Sequence, residues 1–128
     1  MKRTLVPNSR KYWEFIRDLR NHSDVKKGFI NQKHISLHEH TEFMKKYGHL
    51  FYICLVADIP AGYVGVIDDD IRVATHPDYQ GKGVGKFMIN RIMIKFPNSC
   101  AKIKVNNDAS LKLFKSCGFQ KKYYILEK

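Results

Sequence analysis

Three glycines alternate through Gln80-Gly-Lys-Gly-Val-Gly-Lys86, and three carboxylates stand together at Asp68-Asp-Asp70. Glycines at every second position let successive backbone N–H groups turn toward one point. A helix that starts there adds its partial positive charge. Such a cradle, flanked by Lys82 and Lys86, suits a phosphate or pyrophosphate. The same glycines would equally serve a tight turn and close helix packing, and spacing alone leaves both readings open. The carboxylates could supply a general base, or simply a solvated turn. His76, beside the glycine run, reads as a surface histidine.

The elements around these groups follow from periodicity. Residues 71–75 alternate apolar and polar, as a strand does, and Pro77 and Asp78 then supply turn chemistry. Val84, Phe87, Met88, Arg91, Ile92 and Lys95 recur at helical spacing after the glycines. The unit is therefore strand, glycine-rich turn, helix. It is not a P-loop, because Lys86 is followed by Phe87 where that motif needs Ser or Thr. Nor is it the dinucleotide fingerprint, whose glycine spacing and downstream acidic residue are both missing.

The rest of the chain supplies a frame for that unit. Residues 11–20 form a helix with Tyr12, Phe15, Ile16 and Leu19 on one face, and residues 21–35 are mixed. Ser36 and Glu39 have the spacing of a capping box, opening a helix that runs to Tyr47 and stops at Gly48. Residues 50–57 and 63–67 read as a hairpin around a turn at 58–62. Pro97 stops the helix after the glycines. Residues 100–105 should then return as a strand parallel to 71–75. Asn107 can cap a short helix carrying Leu111, Leu113, Phe114 and Cys117, and residues 119–126 read as a closing strand. The expected architecture is one α/β domain over residues 1–128. Its mixed, largely antiparallel central sheet has helices on both faces.

Gln80, Gly83 and Gly85 fill the fixed positions of the Gln/Arg-x-x-Gly-x-Gly/Ala signature, and the lead-in from Val73 to Tyr79 has the matching form. Further on, Asn107, Ser110, Leu113, Phe114, Gly118 and Phe119 resemble the segment Asn-x-x-Ala/Ser…Leu-Tyr-x-x-x-Gly-Phe. With both motifs present and in order, the chain from residue 50 to 119 resembles the GNAT superfamily of acyl-CoA-dependent N-acetyltransferases. The opening segment around Trp13 to Val25 and Ile35 to His40 is similar to acetyltransferases of nucleotide-linked amino sugars and to the ribosomal-protein branch.

That resemblance implies an acetyl-CoA co-substrate and no metal. It implies a cofactor site made by Val73, Ala74 and Thr75 of the strand, the turn residues Gln80, Gly81, Lys82, Gly83, Val84, Gly85 and Lys86, and Asn107. It places the base at Asp69, ahead of Asp70, with Asp69 sharing strand parity with Ile71, Val73 and Thr75. The family's usual acid, a tyrosine, is replaced by Phe114, which has no proton to give. Tyr123 is taken as the substitute, with Tyr79, Tyr124 and Cys117 as alternatives. The short stretch after Phe119 leaves a pocket wall missing, or supplied by a partner in a homodimer. The expected acceptor is a small-molecule amine, taken first as a nucleotide-linked amino sugar. A protein or polyamine acceptor, or a non-catalytic acyl-CoA-binding domain, is the alternative.

Composition sets the outer limits. With 128 residues and 44% hydrophobic content, the chain can bury about two thirds of its unfolded surface without staples. Cys54, Cys100 and Cys117 are scattered, which suits reduced thiols, and no run is apolar enough to span a membrane. A cytoplasmic protein without a signal peptide is expected. The charge of +11, from 23 Lys and Arg against 12 Asp and Glu, would attract any polyanion. It is spread without a zinc-finger or RNA-binding pattern, so a nucleic-acid partner is disfavoured.

Overall fold

The computed structural model describes residues 2–128. Strand β1 (Arg3–Pro7) leads through a 3-10 turn into helix α1 (Trp13–Asn21), then the short α2 (Ser23–Lys26) and α3 (Leu37–Tyr47). Strands β2 (Phe51–Val56), β3 (Ile59–Ile67) and β4 (Asp70–Thr75) follow, then helix α4 (Val84–Lys95) and helix α5 (Asp108–Ser116). The sheet runs β1-β2-β3-β4, with every neighbouring pair antiparallel.

Helices cover both faces of this mixed α/β layer. On one face, Val84, Met88, Ile89 and Ile92 of α4 and Phe114 of α5 pack on Cys54, Val56, Val64, Val66 and Ile71. On the other, Ile16 and Leu19 of α1 and Met44 of α3 meet Phe51, Ile53, Tyr63, Ile67 and Ala74. β2 and β3 are thus buried on both sides, and their near-continuous apolar sequence reflects it.

Two tight hairpins set the register. Ala57 and Asp58 have φ of 49° and 67°, and Asp68 and Asp69 have φ of 51° and 63°. Paired left-handed residues give the two-residue turn whose twist matches the flanking strands. The expected turn at 58–62 is therefore shorter than read, and Ile59 to Gly62 belong to β3. Pro60 is tolerated there because the register slips beside it, between Cys54 and Leu55. The Ser36 capping box is present, with the Ser36 hydroxyl accepting from Glu39 N (3.1 Å) and Glu39 Oε1 accepting from Ser36 N (3.4 Å).

Three strand expectations are corrected. β1 lies at residues where no strand was expected, its Thr4-Leu-Val6 paired with residues 53–55. The expected strand at 100–105 reduces to one parallel bridge between Cys100 and Asp70. Beyond it Ala101 and Ile103 pack on the α4 face while the chain leaves β4. Residues 119–126 form no strand, since the 101–104 run offers no ladder to extend and a lone strand is not stable. Tyr123, Tyr124 and Leu126 are about nine-tenths exposed.

Candidate active site

The departure of the chain from β4 after Cys100 opens a cleft of about 1630 Å³. It is lined by β4, the 101–104 run, the glycine turn and the starts of α4 and α5, and also by residues 27–35 with Arg20 and Phe43. Backbone parity decides which β4 groups face it. Ile71 N–H donates outward to Cys100 O (3.0 Å), whereas His76 N–H donates inward to Ala61 O (2.8 Å). Alternation then turns the amides of Val73 and Thr75 to the open edge and those of Arg72 and Ala74 to β3. Val73 and Thr75 line the cleft. Ala74 does not, because its backbone faces Tyr63 across the β3 ladder and its side chain is buried on the α1 face.

The glycine turn divides its labour. Gly81 and Gly83 take left-handed backbone, φ 75° and 81°, and Gly83 caps α4. A Cβ on Gly81 would meet nothing, while one on Gly83 would stand 2.7 Å from Arg3 Nη1. Gly85 is a packing glycine, since its Cβ would stand 2.9 Å from Leu113 of α5. Phe87 N–H is the first to bond within the helix, to Gly83 O at 3.1 Å. The amides of Val84, Gly85 and Lys86 have no helical partner, and they stand at the positive end of the helix dipole. The turn and packing reading of the glycines therefore holds, with Gly81 and Gly83 meeting the backbone demand and Gly85 the packing demand. Gln80 Nε2 donates to Thr75 O (3.4 Å), tying the turn to the strand end. Lys86 lines the cleft, but Lys82 lies over the Tyr79 ring, its Nζ 5.8 Å from the centroid.

Asn107 lines the cleft and works in two directions. Its Oδ1 accepts from Ser110 N (3.0 Å) as the cap of α5, and its Nδ2 donates to Gly28 O (3.1 Å). Asp70 also lines the cleft, held by Arg72 Nε at 3.1 Å. Asp69 does not. It sits in the left-handed turn, where the pleat is broken, so the parity argument for it fails. Tyr123 lies in the exposed stretch after α5 and is likewise outside the cleft. Phe114 is buried against Phe119, ring centroids 5.1 Å apart.

Two residues of the cleft were not singled out from the sequence. Arg20 of α1 stacks on Phe43, Cζ 4.5 Å from the ring centroid, and touches His40 Nδ1 through Nη1 at 3.1 Å. Burial lowers its pKa, and the neighbouring Arg72 charge adds to that, while Tyr63 and Glu39 oppose it. Tyr63 of β3 is 4% exposed, and burial pushes its hydroxyl up to about 12, so it remains a donor at neutral pH. A tyrosine inside an otherwise apolar, twice-buried strand was the available signal, because its hydroxyl must go somewhere.

An antiparallel sheet that opens beside a glycine-rich helix start is an arrangement consistent with an acyl-CoA-dependent acetyltransferase. The model of the acetyltransferase (GNAT) domain matches residues 47–121, and the chain belongs to that family. Spermidine N-acetyltransferase from Vibrio cholerae, solved with CoA and spermine, shares the fold at a TM-score of 0.84 and 22% identity, over 98% of this chain and 85% of that one. A domain from Methanocaldococcus jannaschii aligns at 0.82 and 22%, over 94% and 90%. Ribosomal-protein-alanine N-acetyltransferase from Brucella melitensis aligns at 0.79 and 14%, over 91% and 84%. No curated protein matches the chain by sequence.

Acetyl-CoA is the acyl donor of the family, and the cleft fits it. The amides of residues 84–86 have no helical partner beside the left-handed Gly81 and Gly83, and Lys86, Lys102, Lys104 and Lys112 line the cleft. The open edge of β4 offers amides to an extended arm. No group of three or more His, Cys, Asp or Glu side chains that could hold a metal occurs among the described residues.

Proposed function

We propose that this chain transfers an acetyl group from acetyl-CoA to a primary amine that enters the cleft beside Asp70. The observation that carries the reading is the unpaired edge of β4, with the Val73 and Thr75 amides turned outward and the glycine cradle at its end. When bound there, acetyl-CoA supplies an activated thioester. Gly81, Gly83 and the amides of residues 84–86 hold its anionic end, with Lys86 beside them. Val73 and Thr75 align its arm. Asn107 fixes the loop at Gly28 against the start of α5. Asp70, oriented by Arg72, accepts the proton that the amine must lose before it can attack. Phe114 gives no proton, and Tyr123 is too far out along the chain, so the thiolate leaves without help from either.

On the acceptor, the relatives favour a polyamine or a protein amine over a nucleotide-linked sugar, because spermidine and a ribosomal-protein alanine are the acceptors named for them. Titration calorimetry with acetyl-CoA on wild type and Gly83→Val tests the donor site. Binding in the wild type that is lost in the variant is expected, and equal affinity in both removes the cradle. Thiol release on adding amines tests the transfer.

A further inference from the structure

On the α1 side of β4, the cleft holds a cation without a counter-ion. Arg72 is taken by Asp70 at 3.1 Å, and Lys33 reaches Glu39 at 4.0 Å. Arg20 is half-buried and enters none of the ion pairs among the described residues. Its contacts, the Phe43 face and His40 Nδ1, leave most of its five N–H donors unused. Tyr63 lines the same cleft and is 4% exposed, yet its hydroxyl has no hydrogen-bond partner among the described residues. Nor is that hydroxyl sealed from solvent, since the fully enclosed side-chain atom without a partner is Asn8 Oδ1. It therefore reaches the cleft.

A guanidinium without an ion pair and a hydroxyl without a protein partner, both opening on the cleft, are free to bind a group that enters it. The guanidinium can only donate, so the group it binds must be an acceptor and should be an anion, to which the Tyr63 hydroxyl can donate as well. We infer that Arg20 and Tyr63 form a subsite for an anionic group, a carboxylate or phosphate, carried by the amine acceptor itself. Arg20 and Asp70 line one cleft, so a single small molecule can place its amine at Asp70 and its anion at Arg20. The planar fork of arginine suits both anions, and the stack on Phe43 holds that fork in place. A polyamine would bring further positive charge against Arg20, where Glu39, the carboxylate whose charge Arg20 feels, is already held by Lys33 and the Ser36 amide. This inference rests on the acetyl-transfer reading, and it sets the acceptor apart from the polyamine that the spermidine-acetylating relative suggests.

Thiol release from acetyl-CoA is measured for phenylalanine against phenethylamine, for O-phosphoethanolamine against ethanolamine, and for spermidine. The wild type, Arg20→Gln, Arg20→Lys and Tyr63→Phe are compared. In the wild type, the acidic member of one pair exceeds its neutral partner and spermidine by at least about tenfold in kcat/KM. The pair that shows this tells carboxylate from phosphate. Arg20→Gln collapses that ratio through KM, Arg20→Lys keeps part of it, and Tyr63→Phe reduces it by less. Neutral amines or spermidine used as well as the acids would overturn the subsite, as would an unchanged acid-to-neutral ratio in Arg20→Gln. Calorimetry with acetyl-CoA separates the two levels. If acetyl-CoA fails to bind, the acetyl-transfer reading falls. If it binds and the ratios are flat, the anionic acceptor alone falls.

Discussion

Asp69 and Asp70 are neighbours in sequence but face different surroundings. Asp70 opens β4 inside the cleft and is held by Arg72, while Asp69 sits in a turn and gives the sheet only its carbonyl, to Cys100 N at 2.8 Å. Asp70→Asn should lower turnover by about 10²–10⁴-fold, the usual worth of a general base. Asp69→Asn should change turnover by less than about threefold on the same scale. Thiol release at saturating acetyl-CoA compares them, and equal losses would remove Asp70 from its role. Asn107→Ala removes a cap, costing about 0.5–2 kcal/mol in urea unfolding. It also releases Gly28, so acetyl-CoA affinity should fall with it, whereas a mere cap would leave affinity alone. At this scale, residue type was legible and orientation was not. Three carboxylates in a row could be seen, but counting back from Gln80 assumed an unbroken pleat through Asp69. Arg20 and Tyr63 stand out through what they lack, an ion pair for one and a hydrogen-bond partner for the other, and no single sequence displays that.

At the scale of elements, the glycine turn separates backbone demand from packing demand. Gly81→Ala meets no atom, so its penalty is the left-handed backbone alone, about 1–2 kcal/mol. Gly85→Val drives a side chain into Leu113 and should push α5 away from α4, destabilising by about 1–3 kcal/mol through overpacking. The double variant Gly85→Val with Leu113→Ala should recover part of that loss in urea melts. No recovery would place the strain elsewhere. Strand, turn and helix around the glycines were legible because three independent signals agree there: alternation, turn residues and helical periodicity. The capped α3 was legible for the same reason. The closing strand was not, because residues 119–126 have strand-like composition but a strand exists only against a partner edge. β1 failed in the opposite sense. Its few β-rich residues were too short to register, yet they gain a place by pairing with β2. The hairpin at Ala57 and Asp58 was read too long because neither residue announces left-handed backbone as glycine would.

Across the whole molecule, the sheet separates two cores, and His40 ties the one on the α1 face together. It is 1% exposed, with Nε2 2.7 Å from Trp13 O and Nδ1 3.1 Å from Arg20 Nη1. A carbonyl can only accept and a guanidinium can only donate, so the ring is neutral with its proton on Nε2. A second proton would have to enter at Nδ1, against the guanidinium and away from water. Burial is the main reason the His40 pKa lies below its ordinary 6.5, and the Arg20 charge acts in the same direction. The unfolded chain then binds a proton more readily than the folded one between the lowered value and 6.5. Stability from this group is complete above 6.5 and is lost as pH falls through the folded pKa. His40→Gln keeps a donor and an acceptor without titrating. In urea unfolding at stepped pH from neutral into the acid range, wild type should be the more stable at neutral pH. Its margin over His40→Gln should shrink on acidification. Every other group is common to the two proteins and cancels in that difference. Parallel curves would mean that α1 and α3 are held together without the neutral imidazole, and that Arg20 owes its position in the cleft to Phe43 alone.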